Sequence, residues 1–406
     1  MDDDSIADGS PYSLYIDGEY VPAAEGDTFE TLDPATGETL AAVASATAPD
    51  VDRAVESARR GFERWGEFTP AERTRTLYAL ADVLRESREE LARIECIDQG
   101  RPLSVAAEGI DAAARYFEFY AGATDKLHGT SLPMDGSWSA YTIREPYGIS
   151  AQVIPWNFPV TQFARGVAPA LAAGNAVVVK PAEQTPLIAL RLGELAHEAG
   201  VPAGTLNVIP GFGGTAGEAL VSHSDVDLIT FTGSLVTGQH IMERAAETVT
   251  PVTLELGGKS PALVFPDADL DNAVEQILTG ILLNAGQSCN ASSRLLVHED
   301  VHDELVDELV DRMEAYDLGP GIEDPDMGPL VSEAQFERVT GYVDVGTEEG
   351  ATLRTGGAVD GERGYFVRPT LFDDVDNDMR IAQEEIFGPV LAVLTFAEED
   401  EAVDIA

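Results

Sequence analysis

Apolar residues recur at helical spacing between residues 70 and 99 of the chain. Thr69 is a capping residue, Pro70 suits the first turn of a helix, and Glu72 completes a capping box. Gly100 follows the last apolar position and favours a helix end. The apolar positions are Leu77, Leu80, Leu84, Leu91 and Ile94. Their spacing predicts helical scaffold that begins after Thr69.

Short β-branched runs alternate with helical stretches from about residue 174. Strands are predicted at AVVVK (176–180), TLNV, DLITFTG and VTLEL, with helices between them. Such alternation is typical of a parallel sheet with crossover helices, whose ligands bind at the carboxyl ends of the strands. Segments with charged residues, hydroxyl groups or glycines lie at these ends, at 180–183, 211–217 and 231–234. Their placement predicts a nucleotide site.

A second α/β unit is predicted beyond residue 258. The apolar helix ILTGILLNAG is followed by a cysteine, the strand SSRLLV and an amphipathic helix that carries Leu305, Leu309 and Met313. The sequence has no internal repeat and no low-complexity linker. Its last residues, EEDEAVDIA, are helical in character and lack a terminating signal. We therefore expect that the sequence is truncated at its C-terminus.

Length and charge narrow the class of protein. A chain of 406 residues is long enough for two domains. Acidic residues outnumber basic ones 72 to 25, and the formal charge of -47 disfavours binding to nucleic acid or anionic membranes. No uncharged apolar run reaches the roughly 18 residues of a membrane span. The first residues lack the basic and apolar segments of a secretory signal, so we expect a cytoplasmic protein.

Lysine is nearly absent from the sequence, which contains only Lys126, Lys180 and Lys259. A carboxylate-rich surface that avoids lysine favours a high-salt cytosol, as in a halophile. A fold that is equally stable in dilute buffer would contradict this hypothesis. Because lysine is so rare in this sequence, each lysine present is a candidate for a specific role. Two of the three lie in motifs described below.

Cys96 and Cys289 are too few for a disulfide framework. In NAGQSCNASSR, Cys289 follows a helix and precedes a strand, a position from which its thiol could face a cleft. A buried structural cysteine is the commoner alternative. The residue types around it must therefore decide whether it is catalytic.

Two further polar residues have both a functional and a structural interpretation. Glu255 ends an apolar strand just before two glycines, where it could act as a base or pair with Lys259. Asn157 is enclosed by the proline and aromatic residues of VIPWNFP, where its amide could stabilise an oxyanion or satisfy backbone groups. Both alternatives stay open on these residues alone.

Two glycine-containing segments are candidates for binding phosphate. The run from Gly211 to Gly217 lacks the spacing of the dinucleotide fingerprint and predicts a turn as readily as a ligand loop. Phe231-Thr232-Gly233-Ser234 lies where a strand ends and a helix begins, so free N–H groups there could bind a pyrophosphate.

The segment His298-Glu299-Asp300-Val301-His302 matches the zinc-protease pattern HExxH. That chemistry requires both histidines on one face of a continuous helix. His298 directly follows the β-branched strand SSRLLV, so we predict no metal site at this motif.

Seven segments taken together resemble the aldehyde dehydrogenase family, in order and approximate spacing. They are VIPWNFP, VVVKPAEQTP, GFGGTAG, FTGS, LELGGKSP, GQSCNASSR and EEIFGPV. The resemblance implies an α/β fold of two Rossmann-like parallel-sheet domains with a small protruding oligomerisation hairpin. The implied divisions are an NAD-binding domain at 1–126 and 148–256, the hairpin at 127–147, and an incomplete catalytic domain at 257–406.

The resemblance also implies site residues. Cys289 matches the family's nucleophile, Glu255 its general base, and Asn157, with the Cys289 backbone N–H, its oxyanion-stabilising group. The implied cofactor contacts are to the adenosine ribose, the pyrophosphate, and the nicotinamide with its ribose. The implied cofactor-binding residues are Ile154, Pro155, Trp156, Lys180, Ala182, Glu183, Gly213, Gly217, Phe231, Thr232, Gly233, Ser234, Leu256, Gly257, Glu385 and Phe387.

The implied reaction oxidises an aldehyde to the carboxylic acid through a thiohemiacetal and a thioester on Cys289, and water activated by Glu255 releases the product. NAD is the expected cofactor because a carboxylate at Glu183 would repel the 2′-phosphate of NADP, although some family members use both. Family branches that transfer the acyl group to coenzyme A usually lack the glutamate, so its presence favours hydrolysis. A homodimer or homotetramer is the expected assembly.

Three alternatives remain on the sequence. An inactive structural or binding member of the same fold could lose the nucleophile or base, and this chain keeps both. A coenzyme A-acylating enzyme is the second alternative. The third, a cysteine hydrolase, needs a histidine to activate Cys289, and none of the 6 histidines lies in a recognisable companion motif. The aldehyde itself stays open, whether aliphatic, aromatic, semialdehyde or betaine-type.

Overall fold

The computed structural model describes residues 12–359, 361 and 363–406, which form an α/β protein. The helices are α1 (Ala48–Gly66), α2 (Pro70–Glu86), α3 (Arg88–Gln99), α4 (Leu103–Ala121), α5 (Pro159–Ala172), α6 (Leu187–Glu198), α7 (Glu218–Val221), α8 (Leu235–Thr248), α9 (Leu270–Leu282), α10 (His302–Glu314), α11 (Glu333–Glu348), α12 (Arg380–Gln383) and α13 (Glu399–Ile405). The strands are β1 (Leu14–Ile16), β2 (Glu19–Val21), β3 (Thr28–Leu32), β4 (Thr39–Ala44), β5 (Ser131–Leu132), β6 (Ala140–Tyr141), β7 (Ile149–Val153), β8 (Ala176–Lys180), β9 (Leu206–Val208), β10 (Leu228–Gly233), β11 (Val252–Leu256), β12 (Pro261–Val264), β13 (Arg294–His298), β14 (Thr352–Thr355), β15 (Thr370–Asp373) and β16 (Val390–Phe396).

The described residues fall into two compact units. Unit 1 comprises the described residues within Met1–Thr31, Thr39–Asp98 and Ala106–Glu255. Unit 2 comprises the described residues within Leu32–Glu38, Gln99–Val105 and Leu256–Ala406.

Unit 1 contains a sheet whose strand order is β11-β10-β7-β8-β9-β1-β2. Strands β10, β7, β8 and β9 are parallel, as their alternation with helices predicts. The chain leaves β7 toward β8 on one side, and β10 later returns to the other side of β7. This reversal of strand order makes a crevice beyond the carboxyl ends of β7 and β10, where open α/β sheets bind ligands.

The helical scaffold of unit 1 begins as the sequence predicts. Thr69 Oγ1 accepts a hydrogen bond from the Glu72 N–H (3.3 Å), and the Glu72 carboxylate accepts one from the Thr69 N–H (2.8 Å). The predicted run is divided into α2 and α3 at Ser87. The five apolar positions of that run are all buried, so helical spacing identified the core face correctly.

Unit 2 contains a second sheet, with strand order β12-β13-β16-β15-β14. The first four of these strands pair in parallel, and β14 pairs with β15 in the antiparallel direction. The core includes the apolar faces of α9 and α10, which explains why their sequences read as amphipathic helices. A second α/β unit is thus confirmed.

A small hairpin leaves unit 1 between α4 and β7. Its strands β5 and β6 are antiparallel, with Ser131 opposite Tyr141 and Leu132 opposite Ala140. Large apolar side chains are exposed along it, including those of Met134, Trp138 and Ile143. No described helix combines the length and apolarity needed to cross a bilayer.

Candidate active site

Cys289 lies in unit 2 on a loop between α9 and β13. Its side chain is partly exposed, whereas Cys96 is buried. The chain reaches the loop through a turn at Asn284 and Ala285, which both have φ of 54°, a conformation that costs free energy for residues other than glycine. A thiol on such a loop is available for chemistry rather than part of the core.

Buried hydrogen bonds fix the turn before Cys289. The Gln287 side chain is buried; its Nε2 donates to the Asn284 carbonyl at 2.9 Å, and its Oε1 accepts from the Val331 N–H at 3.0 Å. Gly286 has φ of 71°, and a Cβ there would lie 2.1 Å from the Gly388 carbonyl oxygen. The loop therefore depends on a glycine at 286 and on distant chain segments.

The Glu385 side chain in unit 2 packs against the two glycines of LELGGKSP. Its Oε1 accepts a hydrogen bond from the Gly258 N–H at 3.2 Å, and a Cβ on Gly257 would lie 2.0 Å from its Oε2. Burial raises the pKa of Glu385. Phe387 follows in a left-handed conformation (φ 65°), and its carbonyl accepts from Gln335 Nε2 at 2.7 Å.

Asn157 lies in unit 1 between the end of β7 and the start of α5. It is buried, at 4% exposure. Pro159 is the first residue of α5, and a proline there suits the first helical turn. Ile154, Pro155 and Trp156 connect Asn157 to the strand, so the whole segment lies at the carboxyl end of β7.

Glu255 lies on β11 and is exposed. Its Oε1 forms an ion pair with Arg165 Nη2 of α5. Within unit 1, the ion-pair partner of Glu255 is thus a residue on another element. Sequence reasoning missed Arg165, since a partner on another element leaves no local signal.

Lys180 ends β8 and is buried. Its Nζ donates to the Pro181 carbonyl at 2.6 Å and lies 3.6 Å from Glu183 Oε2. Burial lowers the pKa of Lys180, and the Glu183 carboxylate opposes that shift. A Cβ on Gly217 would lie 3.5 Å from Lys180 Cδ, so the glycine run passes close to the lysine.

The glycine run forms a π-helical turn, Gly213–Gly217, that leads into α7. Together with α8 it encloses a pocket of about 460 Å³. The lining residues are Val153, Gly213, Gly214, Gly217, Glu218, Val221, Val236, Thr237, His240 and Ile241. The sequence left open whether the glycine run is a turn or a ligand loop. In the structure it is a turn, and it also borders a cavity.

The segment 231–234 forms the other wall of the crevice. Ser234 caps α8, and its Oγ accepts from the Thr237 N–H at 3.3 Å. Phe231 is buried, and its ring packs so closely on Gly233 that a Cβ there would lie 2.5 Å from Phe231 Cζ. Thr232 lines a second pocket, on the face covered by α5.

Comparisons with known proteins identify the family. The model of the aldehyde dehydrogenase family matches residues 20–406. The chain belongs to this family. It is 46% identical to an aldehyde dehydrogenase of Aspergillus niger, over 97% of this chain and 80% of that protein. It is 47% identical to the mitochondrial benzaldehyde dehydrogenase of Antirrhinum majus, over 96% of this chain and 74% of the relative.

A solved structure of the family has the same fold. The NAD+ complex of an aldehyde dehydrogenase from Bacillus cereus matches with a TM-score of 0.97 and 46% identity, over 99% of this chain and 82% of that chain. The family resemblance and the fold expected from the motifs are thereby confirmed.

This aldehyde dehydrogenase has pocket residues that the motifs did not identify. Val236, Thr237, His240 and Ile241 recur along one face of α8. Helical spacing after the Ser234 cap was the signal that could have found them.

The HExxH segment of this aldehyde dehydrogenase is not a continuous helix. His298 ends β13 and His302 begins α10. His302 Nε2 lies 2.9 Å from Asp373 Oδ1 and its Nδ1 lies 2.9 Å from Asp303 Oδ1, and these carboxylates raise the pKa of His302. The two histidines thus have separate local roles.

Proposed function

We propose that the protein oxidises an aldehyde to its carboxylic acid through a covalent intermediate on Cys289. The observation that carries the proposal is a partly exposed thiol on a loop held by buried hydrogen bonds, in a member of the aldehyde dehydrogenase family. The protein is an NAD-dependent aldehyde dehydrogenase, as family membership and the NAD+ complex of the similar Bacillus cereus enzyme indicate.

Unit 1 has the features that an NAD molecule needs. The pocket between the glycine run and α8 is lined largely by glycine and apolar side chains and suits an adenine ring. The N-terminus of α8 offers N–H groups to a pyrophosphate, and Lys180 with Glu183 can bind ribose hydroxyls. In unit 2, Glu385 would hold the second ribose and Phe387 would lie beside the nicotinamide. We thus propose that the residues implied by the motifs bind NAD.

The reaction then follows from the chemistry of three side chains. The Cys289 thiolate attacks the carbonyl carbon, and the Asn157 amide with the Cys289 N–H stabilises the oxyanion. NAD, when bound, would supply the acceptor for the hydride lost in this oxidation. A thioester remains on Cys289, and Glu255 takes a proton from the water that hydrolyses it, freeing the acid and the thiol.

Glu183 favours NAD over NADP. Its carboxylate lies 3.6 Å from Lys180 Nζ, where it could accept hydrogen bonds from ribose hydroxyls. The same negative charge would repel a 2′-phosphate.

Assembly and environment are proposed from the surface. The exposed apolar side chains of the hairpin at 127–147 suit contact with a second copy, giving a homodimer or homotetramer. The charge of -47 suits a high-salt environment, in which screening reduces self-repulsion.

Formation of NADH from a panel of aldehydes tests the proposal. We expect Cys289→Ala to abolish turnover, because no other group can form the thioester. Cys96→Ala is the matched control, since Cys96 is buried, and it should retain activity. A Cys289→Ala enzyme with unimpaired turnover would contradict the mechanism.

A further inference from the structure

The ion pair between Arg165 and Glu255 joins α5 to β11 in unit 1. Arg165 lies on α5, the helix that starts directly after Asn157. Glu255 lies on β11, at the edge of the sheet. The side chains are 32% and 47% exposed, so water reaches the pair. The helix that follows the Asn157 segment thus bears the ion-pair partner of Glu255.

Arg165 is itself held in place. Its Nη1 donates to Gln162 Oε1, one turn earlier on α5, at 3.1 Å. With one nitrogen on Gln162 and the other on Glu255, the guanidinium spans the gap from the helix to the strand. The planar fork of arginine suits this bridging geometry better than the single ammonium of lysine.

Arg165 also lines a pocket of about 300 Å³, whose other lining residues include Gln152, Thr230 and Thr253. Gln152 is 2% exposed, its Nε2 donates to Ser150 Oγ at 2.8 Å, and its Oε1 has no hydrogen-bond partner among the described residues. The threonine hydroxyls and the guanidinium give this pocket the polar partners that ordered water needs. The guanidinium that pairs with Glu255 thus also borders a pocket suited to hold water.

The pair contributes little to the stability of the fold. Ion pairs exposed to this degree stabilise a protein by about 0–1 kcal/mol. A carboxylate on an edge strand that lacks such a partner would be free to sample several rotamers. Placement of the carboxylate, rather than stability, is the larger consequence of the contact.

We propose that Arg165 is a positioning residue for Glu255: the guanidinium fixes the carboxylate so that it can take a proton from water that reaches the pair. The inference rests on the proposed function, in which Glu255 serves the hydrolysis of the thioester. It concerns that second half of the reaction alone. Formation of the thioester on Cys289 does not depend on it.

The inference is tested with Arg165→Met and Arg165→Lys in the full chain. Misplacing a catalytic group slows its step by about 10- to 100-fold. We expect Arg165→Met to slow steady-state NADH formation by about tenfold while the first turnover of NADH stays at its normal rate. Acid quenching followed by mass measurement should show acylated Cys289 accumulating. Arg165→Lys should recover part of the rate, because it keeps the charge.

Arg59→Met is the matched control. Arg59 forms a comparably exposed ion pair with Asp225 in the same unit, at 2.7 Å. Its removal should leave both the first turnover and the steady state unchanged. This separates loss of one surface charge from loss of the contact with Glu255.

The possible outcomes distinguish the inference from the proposed function. If Arg165→Met lowers the first turnover and the steady state in proportion, Arg165 has only a structural role and the inference is wrong. It is also wrong if the acyl-enzyme fails to accumulate or if neither rate changes. If the unmodified enzyme forms no NADH with any aldehyde, the proposed function itself fails, whatever Arg165 does.

Discussion

The two units place their functional groups by different physical means. In unit 1, Asn157, Lys180 and Ser234 lie at or just after the carboxyl ends of parallel strands, so the register of the sheet sets their positions. In unit 2, Cys289 and Glu385 lie on loops. Those loops contain residues with positive φ that are not glycine, and hydrogen bonds from distant segments hold them: the Val331 N–H donates to Gln287 Oε1, and Gln335 Nε2 donates to the Phe387 carbonyl.

This difference predicts which substitutions are harmful in each unit. A strand-end residue is positioned by a backbone ladder that survives loss of its side chain, so a substitution there should remove one interaction. A loop residue depends on neighbours of exact size, so a substitution beside it should displace the functional group.

The largest effect is expected at the strand-end amide of unit 1. Removing an oxyanion-stabilising donor lowers kcat by about 100- to 1000-fold, and we expect this loss for Asn157→Ala with little change in fold. Measurement of kcat, with circular dichroism to verify folding, tests it. Asn207→Ala is the control: this buried amide donates to the Gly204 carbonyl at 2.7 Å, so its loss should lower stability and leave the kcat of folded enzyme nearly unchanged. A comparable kcat for both variants would exclude the role of Asn157.

The same difference explains what could be predicted from the sequence. Short β-branched runs predicted β8, β10 and β11, and helical spacing after a capping box predicted the start of α2, because local pattern determines these elements. The left-handed turn at Asn284 and Ala285 was not predicted, because the one local signal, Gly286, follows it and distant residues stabilise it. The motifs placed Glu255 correctly at a strand end but not its ion-pair partner, since Arg165 lies 90 positions earlier in the sequence.

A smaller effect is expected at the glycine beneath Glu385 in unit 2. In Gly257→Ala the new Cβ would lie 2.0 Å from Glu385 Oε2, so the carboxylate must move and lose its bond to the Gly258 N–H. Loss of one hydrogen bond to a charged group corresponds to roughly a tenfold change or more in binding. We expect KM for NAD to rise about tenfold.

Gly341→Ala provides the comparison for this variant. Gly341 lies in α11 of the same unit, and a Cβ there would meet nothing within 4 Å. Its KM for NAD should be unchanged, and alanine should slightly stabilise the helix. If Gly257→Ala binds NAD normally, the loops of unit 2 tolerate more displacement than the comparison of the two units implies.

The smallest effect concerns two lysines, the buried Lys180 of unit 1 and the half-buried Lys259 of unit 2, whose Nζ is inaccessible to solvent. Lys180 has a carbonyl acceptor and Glu183 beside it. Lys259 has no hydrogen-bond partner among the described residues, and burial together with the Arg294 charge lowers the pKa of Lys259 to about 8. Burying an ammonium without a partner costs free energy, so we expect Lys259→Met to stabilise unit 2 at neutral pH.

The effect of Lys259→Met on stability should depend on pH. Because the pKa of Lys259 is about 8 in the folded state and 10.5 is its ordinary value, the unfolded chain binds more protons between these values. Stability of the unmodified protein should therefore rise across that window, and the advantage of Lys259→Met should shrink as Lys259 loses its charge. Thermal unfolding from pH 7 to pH 10 measures the difference, with Lys126→Met as the exposed control. A Lys259→Met protein that is less stable at pH 7 would mean that the ammonium is stabilised by its surroundings, and the contrast between the two lysines would be lost.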